Sequence, residues 1–160
     1  DPKIEGFIKL KKPKEIKKVI LCSGKIYFDL LDYREKLKRN DIIFYRIEQL
    51  YPFPAKALVN ELKPYAKNAK FYWCQEEPKN MGAWGFVRNR IENVMKNLGM
   101  KQNKLYYIGR SPAAPPATGI ANRHTINQNS IIKLAVETKI EDVIEAWAGV
   151  SQIRGKLPIE

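Results

Sequence analysis

The chain has 160 residues, of which 44% are hydrophobic and 29% charged, and its 29 basic against 17 acidic side chains give a net charge of +12. These are globular proportions, and a chain this long buries about 70% of its unfolded surface, so a disordered chain and a disulfide-stapled miniprotein are both excluded. No apolar run approaches the roughly 20 residues of a membrane span. The start, Asp1 to Glu5, lacks an apolar signal core, which predicts no secretion through a signal peptide. Cys22 and Cys74 have no CxxC or histidine partner nearby, so zinc is not expected and a reducing compartment is.

Residues 1–17 are crowded with lysine and carry Pro2, Gly6 and Pro13, so they read as a linker or lead-in. Lys18 to Ser23 is a short, continuously apolar run closed by Gly24, the pattern of a strand buried on both faces. A helix follows from about Lys25 to Arg39, with Ile26, Leu30, Tyr33 and Leu37 forming one apolar stripe. Ile42 to Ile47 is a second strand. Pro52 and Pro54 stop its pairing, and Pro54 suits the first turn of a helix carrying Ala57, Leu58, Leu62 and Tyr65, which Pro64 ends or kinks.

Ala69 to Gln75 is a third strand, rich in aromatic residues, and Glu76 to Gly82 is a polar loop. The next helix spans about Ala83 to Leu98, with Phe86, Val87, Ile91, Val94 and Leu98 inward and Gly99 as its C-terminal cap. Lys104 to Gly109 is a fourth strand. Arg110 to Gly119 holds three prolines and is a loop, and Thr125 to Glu137 is the last core helix. Strands alternating with helices of this length are parallel, so the expected class is a doubly wound α/β domain over residues 18–137, with a mainly parallel sheet and helices on both faces.

Motifs for catalysis are missing. Only one histidine, His124, is present; no GxGxxG follows the first strand, and no Walker A pattern exists. No acidic pair has the spacing of a diphosphate-bound magnesium site. No catalytic, cofactor-binding or metal-binding residue is therefore assigned. The candidates lie where strands end, at Ser23-Gly24-Lys25, at Glu76 to Gly82 and at Arg110 to Gly119. Glu76 and Glu77 suit acid/base work in a low-dielectric cleft, or else one caps a helix or pairs with Arg110 or a lysine. Trp84 is an interface anchor or a core residue, and His124 a base or a residue at a helix start. Both cysteines read as inert buried thiols.

Several stretches together are more specific. Val19 to Lys25, Arg46 to Pro54, Trp73 to Trp84, Gly109-Arg110 and Pro116 to Gly119, in this order, closely resemble the C-terminal domain of the first, decarboxylating component of 2-oxoglutarate dehydrogenase. The wider superfamily includes transketolase. The resemblance covers about Ile16 to Glu137. It implies a transketolase C-terminal-like fold that packs on a middle domain and helps build a homodimer. In that family thiamine diphosphate, Mg²⁺ and the activating glutamate belong to two preceding domains, and a lipoyl-bearing succinyltransferase receives the product. The resemblance implies that Ser23, Gly24, Glu76, Glu77, Asn80, Gly82, Trp84 and Arg110 form an interface or structural motif, that the fragment is inactive alone, and that it works in a bacterial cytoplasm or mitochondrial matrix.

Two other readings compete. The basic surface suits a regulatory anion, a nucleotide or acyl-CoA, and the same charge suits nucleic acid, which is the weaker reading because the lysines also decorate helix faces. Residues 138–160 have no counterpart in the resemblance. Ile140, Val143, Ile144 and Trp147 repeat at i, i+3, i+4 and i+7, which predicts an extra amphipathic helix.

Overall fold

The computed structural model describes residues 7–114, 121–137, 143–148 and 153–155. Its six strands are β1 (Lys18–Cys22), β2 (Ile42–Arg46), β3 (Lys70–Pro78), β4 (Tyr106–Arg110), β5 (Val143–Ala148) and β6 (Ile153–Gly155). Its helices are α1 (Ile26–Lys36), α2 (Ala55–Leu62), α3 (Trp84–Asn97) and α4 (Ala121–Glu137). The strands form one sheet in the order β2-β1-β3-β4-β5-β6. All neighbours run parallel except β5 and β6, which are antiparallel.

The sheet is buried on both sides. Val19, Leu21, Phe71, Trp73 and Tyr107 face a core completed by Leu58 and Leu62 of α2 and by Val87, Ile91 and Val94 of α3. Ile20, Cys22, Phe44, Tyr72, Cys74 and Ile108 face a second core, closed by Ile26 and Leu30 of α1 and Ile131, Ala135 and Val136 of α4. Two helices on each face make the fold doubly wound α/β, as the alternating pattern requires. All five residues of β1 are buried, which explains the apolar run Val19 to Cys22; Lys18 before it donates from Nζ to the Ala135 carbonyl at 3.0 Å.

Helix ends follow local chemistry. At the end of α3, Gly99 has φ 65°, its N–H donates to the Lys96 carbonyl, and the Met100 N–H donates to that of Met95. This is a Schellman cap with glycine in the left-handed position. The end of α1 repeats it with Lys38 at φ 53°, a position where a Cβ is strained. Pro64 stops α2, and Lys63–Tyr65 continues as one 3₁₀ turn.

Two element bounds differ from the sequence expectation: β3 runs on through Glu76 and Glu77 to Pro78, three residues past Gln75, and α4 starts at Ala121, four residues before Thr125. Three further details differ. The stripe of α1 is Ile26, Leu30 and Arg34, while Leu37 is 42% exposed. Arg34 is buried because its guanidinium donates to the Ile42 carbonyl at 3.3 Å, pairs with Glu35 at 2.6 Å and lies over the Phe44 ring. The lead-in, where described, is bonded to the domain. The Lys11 N–H donates to the Asn40 carbonyl, Pro13–Glu15 forms a 3₁₀ turn, and Ile16 is fully buried.

The third difference is the tail. The amphipathic helix expected there is corrected: Val143–Ala148 is a strand, parallel to β4, and β6 pairs back on it. Eight residues are too few to separate a helical from an extended period, and the β-branched and aromatic content of Val143, Ile144 and Trp147 favours a strand once the β4 edge offers partners. Ile140 lies outside the described residues.

Candidate functional site

The loops at the carboxyl ends of β1, β3 and β4 gather on one rim of the sheet. The chain order reverses between β1 and β3, because β1 leads to β2 on one side while β3 and β4 lie on the other. Crevices at such reversals are where α/β sheets meet ligands and partners.

Gln75 organises this rim. It is 3% exposed within β3, directly after the buried run Phe71 to Cys74, so its carboxamide needs internal partners. Its Oε1 accepts from the Trp73 indole Nε1–H at 2.9 Å and from the Trp84 backbone N–H at 3.0 Å. The two hydrogens of its Nε2 serve three carbonyls, with one shared: Met81 at 2.8 Å, Pro78 at 3.0 Å and Glu77 at 3.2 Å. One side chain thus fixes the last residues of β3, the turn that leads to Gly82 and the start of α3. It was absent from the sequence candidates. The available signal was a polar residue closing a run of buried aromatics.

Gly82 completes the turn with φ 64°, and a Cβ there would lie 3.0 Å from Glu77 Oε2 and 3.1 Å from Gln75 Nε2. Glu77 is exposed, with its carbonyl turned to Gln75. Asn80 clamps the next loop: its Nδ2 donates to the Ala113 carbonyl and its Oδ1 accepts the Ala113 N–H, both at 3.0 Å. The Arg110 carbonyl accepts from the Tyr107 hydroxyl at 3.0 Å and from the Lys79 N–H at 3.2 Å.

Trp84 is 7% exposed and packs on Tyr107 with ring centroids 4.9 Å apart. Lys79 lies over both rings, 5.9 Å and 5.6 Å from their centroids, and Arg88 approaches Trp84 at 6.0 Å. The structure therefore packs Trp84 inside its own chain. Ring and strand also explain Gly109. A Cβ at Gly109 would lie 2.5 Å from the Tyr107 hydroxyl and 2.9 Å from the Gln75 carbonyl.

Glu76, half-buried, accepts from Lys25 Nζ at 3.2 Å and from Gln128 Nε2 at 2.7 Å. Gln128 also donates to Asp29 Oδ2 at 3.0 Å, which joins α1, β3 and α4 across the reversal point. On the β2 side, Gly24, at φ 76°, donates its N–H to Glu48 Oε1 at 3.2 Å, and Arg46 pairs with that oxygen at 3.1 Å. Ser23, between β1 and this turn, is half-buried. The rim thus brings Ser23, Gly24 and Glu76 to one crevice and Glu77, Asn80, Gly82, Trp84 and Arg110 to the neighbouring loop pair. His124 falls in α4, and Pro116 to Gly119 lie outside the described residues.

Chemically, this rim is occupied by its own bonds. Glu48, Glu76 and Asp29 each hold a described cation or amide, an arrangement of structural carboxylates. A magnesium diphosphate site needs several free oxygen donors converging on one point. Among the described residues no group of three His, Cys, Asp or Glu side chains converges, so these residues do not fit that group. The thiols are not nucleophiles either. Burial pushes Cys22 up to about 12 and Cys74 well above the ordinary thiol value, which keeps both protonated.

Comparison with known proteins agrees with the resemblance. A family model described as 2-oxoglutarate dehydrogenase C-terminal matches residues 2–136. The 2-oxoglutarate dehydrogenase E1 components of Brucella anthropi and Brucella ovis are each 52% identical over 122 residues, 76% of this chain and 12% of the relative. That of Brucella abortus is 51% identical over 117 residues, 73% of this chain and 12% of the relative. The chain thus spans 12% of the length of the curated relatives it matches. With one family model covering the sheet strands β1 to β4 and their helices, and half of the aligned residues shared with these relatives, the chain belongs to the 2-oxoglutarate dehydrogenase C-terminal family.

Proposed function

We propose that this chain is the C-terminal assembly domain of a 2-oxoglutarate dehydrogenase first component and has no turnover of its own. The parent reaction is oxidative decarboxylation of 2-oxoglutarate, with succinyl transfer to a lipoyl group on the succinyltransferase of the complex. Thiamine diphosphate and Mg²⁺ belong to the rest of that enzyme. The remaining domains and a second copy are the partners of this one, and a bacterial cytoplasm is the setting that the Brucella relatives favour. Among the described residues no helix is long and apolar enough to cross a membrane.

One observation carries the reading. The carboxyl rim combines loops tied down by Gln75 and Asn80 with exposed apolar side chains at Phe28, Tyr51 and Ile126, which are 52%, 85% and 61% exposed. Rigid loops edged by exposed aromatic and aliphatic groups fit a permanent docking surface better than a site where reacting groups must be free. On this reading the Glu76 to Gly82 loop presents Glu77 and Asn80 to the neighbouring domain, while Gln75, Gly82 and Trp84 hold its shape from inside.

The test is a chimera. The matching C-terminal stretch of a Brucella 2-oxoglutarate dehydrogenase E1 component is replaced by this chain. Decarboxylation of 2-oxoglutarate and dimer mass are then measured beside a deletion of that stretch. The chimera should recover both properties and the deletion neither. Turnover by the 160-residue chain alone, with added thiamine diphosphate and Mg²⁺, would refute the assignment.

A further inference from the structure

The rim opposite the loops, at the amino ends of the strands, has a different character. Two 3₁₀ turns meet there, Pro13–Glu15 and Lys63–Tyr65, and each follows or contains a Lys-Pro pair. The Lys70 N–H donates to the Lys17 carbonyl, which brings the starts of β1 and β3 beside them. Segments 12–17 and 63–70 therefore converge. They hold six lysines, Lys12, Lys14, Lys17, Lys63, Lys67 and Lys70, against one acid, Glu15. All six are exposed, and no described carboxylate pairs with any of them.

Helix dipoles account for part of this. The C-terminal ends of helices attract cations, and Lys63 and Lys67 lie just past α2. Lys12, Lys14, Lys17 and Lys70 belong to no α-helix, so their clustering needs another cause. Like charges this close repel in the free chain, and a polyanion would relieve that repulsion.

We propose that this lysine cluster docks an acidic, flexible protein segment, a surface separate from the carboxyl rim that faces the rest of the enzyme. The chemistry selects the partner. The cluster holds no arginine, whose planar fork is the usual reader of phosphate. Its one aromatic ring, Tyr65, is half-buried and packs edge-on against Tyr45, so no open face is offered for stacking a base. It offers no apolar group to insert into a lipid surface. Point charges pinned by two prolines suit a run of carboxylates, which needs attraction without fixed geometry.

The experiment measures fluorescence anisotropy of a labelled glutamate-rich peptide of about 20 residues with the 160-residue chain at low salt, where exposed charges are least screened. One variant replaces four cluster residues, Lys14→Gln, Lys17→Gln, Lys63→Gln and Lys70→Gln. A control removes the same charge from four exposed helix positions, Lys36→Gln, Lys56→Gln, Lys96→Gln and Lys133→Gln. The cluster variant should lose at least about tenfold in affinity and the control less than about threefold. Equal losses would overturn the proposal, because the attraction would then belong to the whole +12 molecule. Tighter binding of a DNA duplex through the same four lysines would overturn it too, in favour of nucleic acid.

Discussion

Replacing Gln75 by leucine tests the account of the carboxyl rim most directly. Leucine nearly matches the volume but offers neither donor nor acceptor. The Trp73 indole N–H, at 0% exposure, and the Trp84 backbone N–H then lose their shared acceptor. Each buried donor left unpaired costs about 1–3 kcal/mol, so the pair costs about 4 kcal/mol. The carbonyls of Glu77 and Met81 lie nearer solvent and can turn to water, and the buried Pro78 carbonyl keeps the Met81 N–H at 2.8 Å. For a domain of this size the loss lowers the melting temperature by about 8–16 °C. Urea denaturation followed by tryptophan fluorescence measures it, with the midpoint falling and the slope unchanged. A cost below about 1 kcal/mol would refute the claim that this carboxamide organises the loop.

Four further changes probe separate features. Gly109→Ala places a methyl group against the Tyr107 hydroxyl and the Gln75 carbonyl, and should cost about 1–3 kcal/mol in the same denaturation assay. Lys38→Gly relieves the left-handed strain at the end of α1 and should add about 1 kcal/mol, read as a higher urea midpoint. Asn80→Ala should speed hydrogen exchange at the Ala113 amide while moving global stability by less than about 1.5 kcal/mol.

Lys18 concerns pH. Burial first, then the Arg39 charge, lower it from 10.5 to about 8, against a smaller opposing pull from Asp41. The unfolded chain therefore binds more protons between pH 8 and 10.5, and the stability owed to Lys18 rises with pH across that window. Relative to Lys18→Met, the parent should gain about 3 kcal/mol between pH 7 and 11. Cys22 acts in the opposite sense: its folded value is about 12 against an ordinary 9.0, so its contribution falls as pH rises from about 9. That effect is common to both proteins and cancels in the difference. Parallel curves would refute the assignment.

The sheet was legible because each strand from β1 to β4 carries a short continuous apolar run, although β3 continues past its run to Pro78. The helices between them showed their buried faces through Leu58 and Leu62, or Val87, Ile91 and Val94. Arg34 was missed because a buried arginine carries no apolar signal, and its place depends on Glu35 and the Ile42 carbonyl. The tail was misread because its period is set by the edge of β4, a partner far away in sequence. At the site, the polar loop between β3 and α3 stood out in composition, and the positive φ of Gly82 agrees with a turn. Gln75 did not stand out, since nothing local shows that its five bonds close on two tryptophans and three carbonyls.

The pairing of β5 with β4 sets an order of events during synthesis. A ribosome delivers residues 106–110 more than thirty positions before 143–148 emerge, so β4 has no neighbour on that flank until they do. An uncapped strand of this kind is a template for other chains. The last described residues thus act as a closing seam, and a stalled or shortened product would be the sticky one.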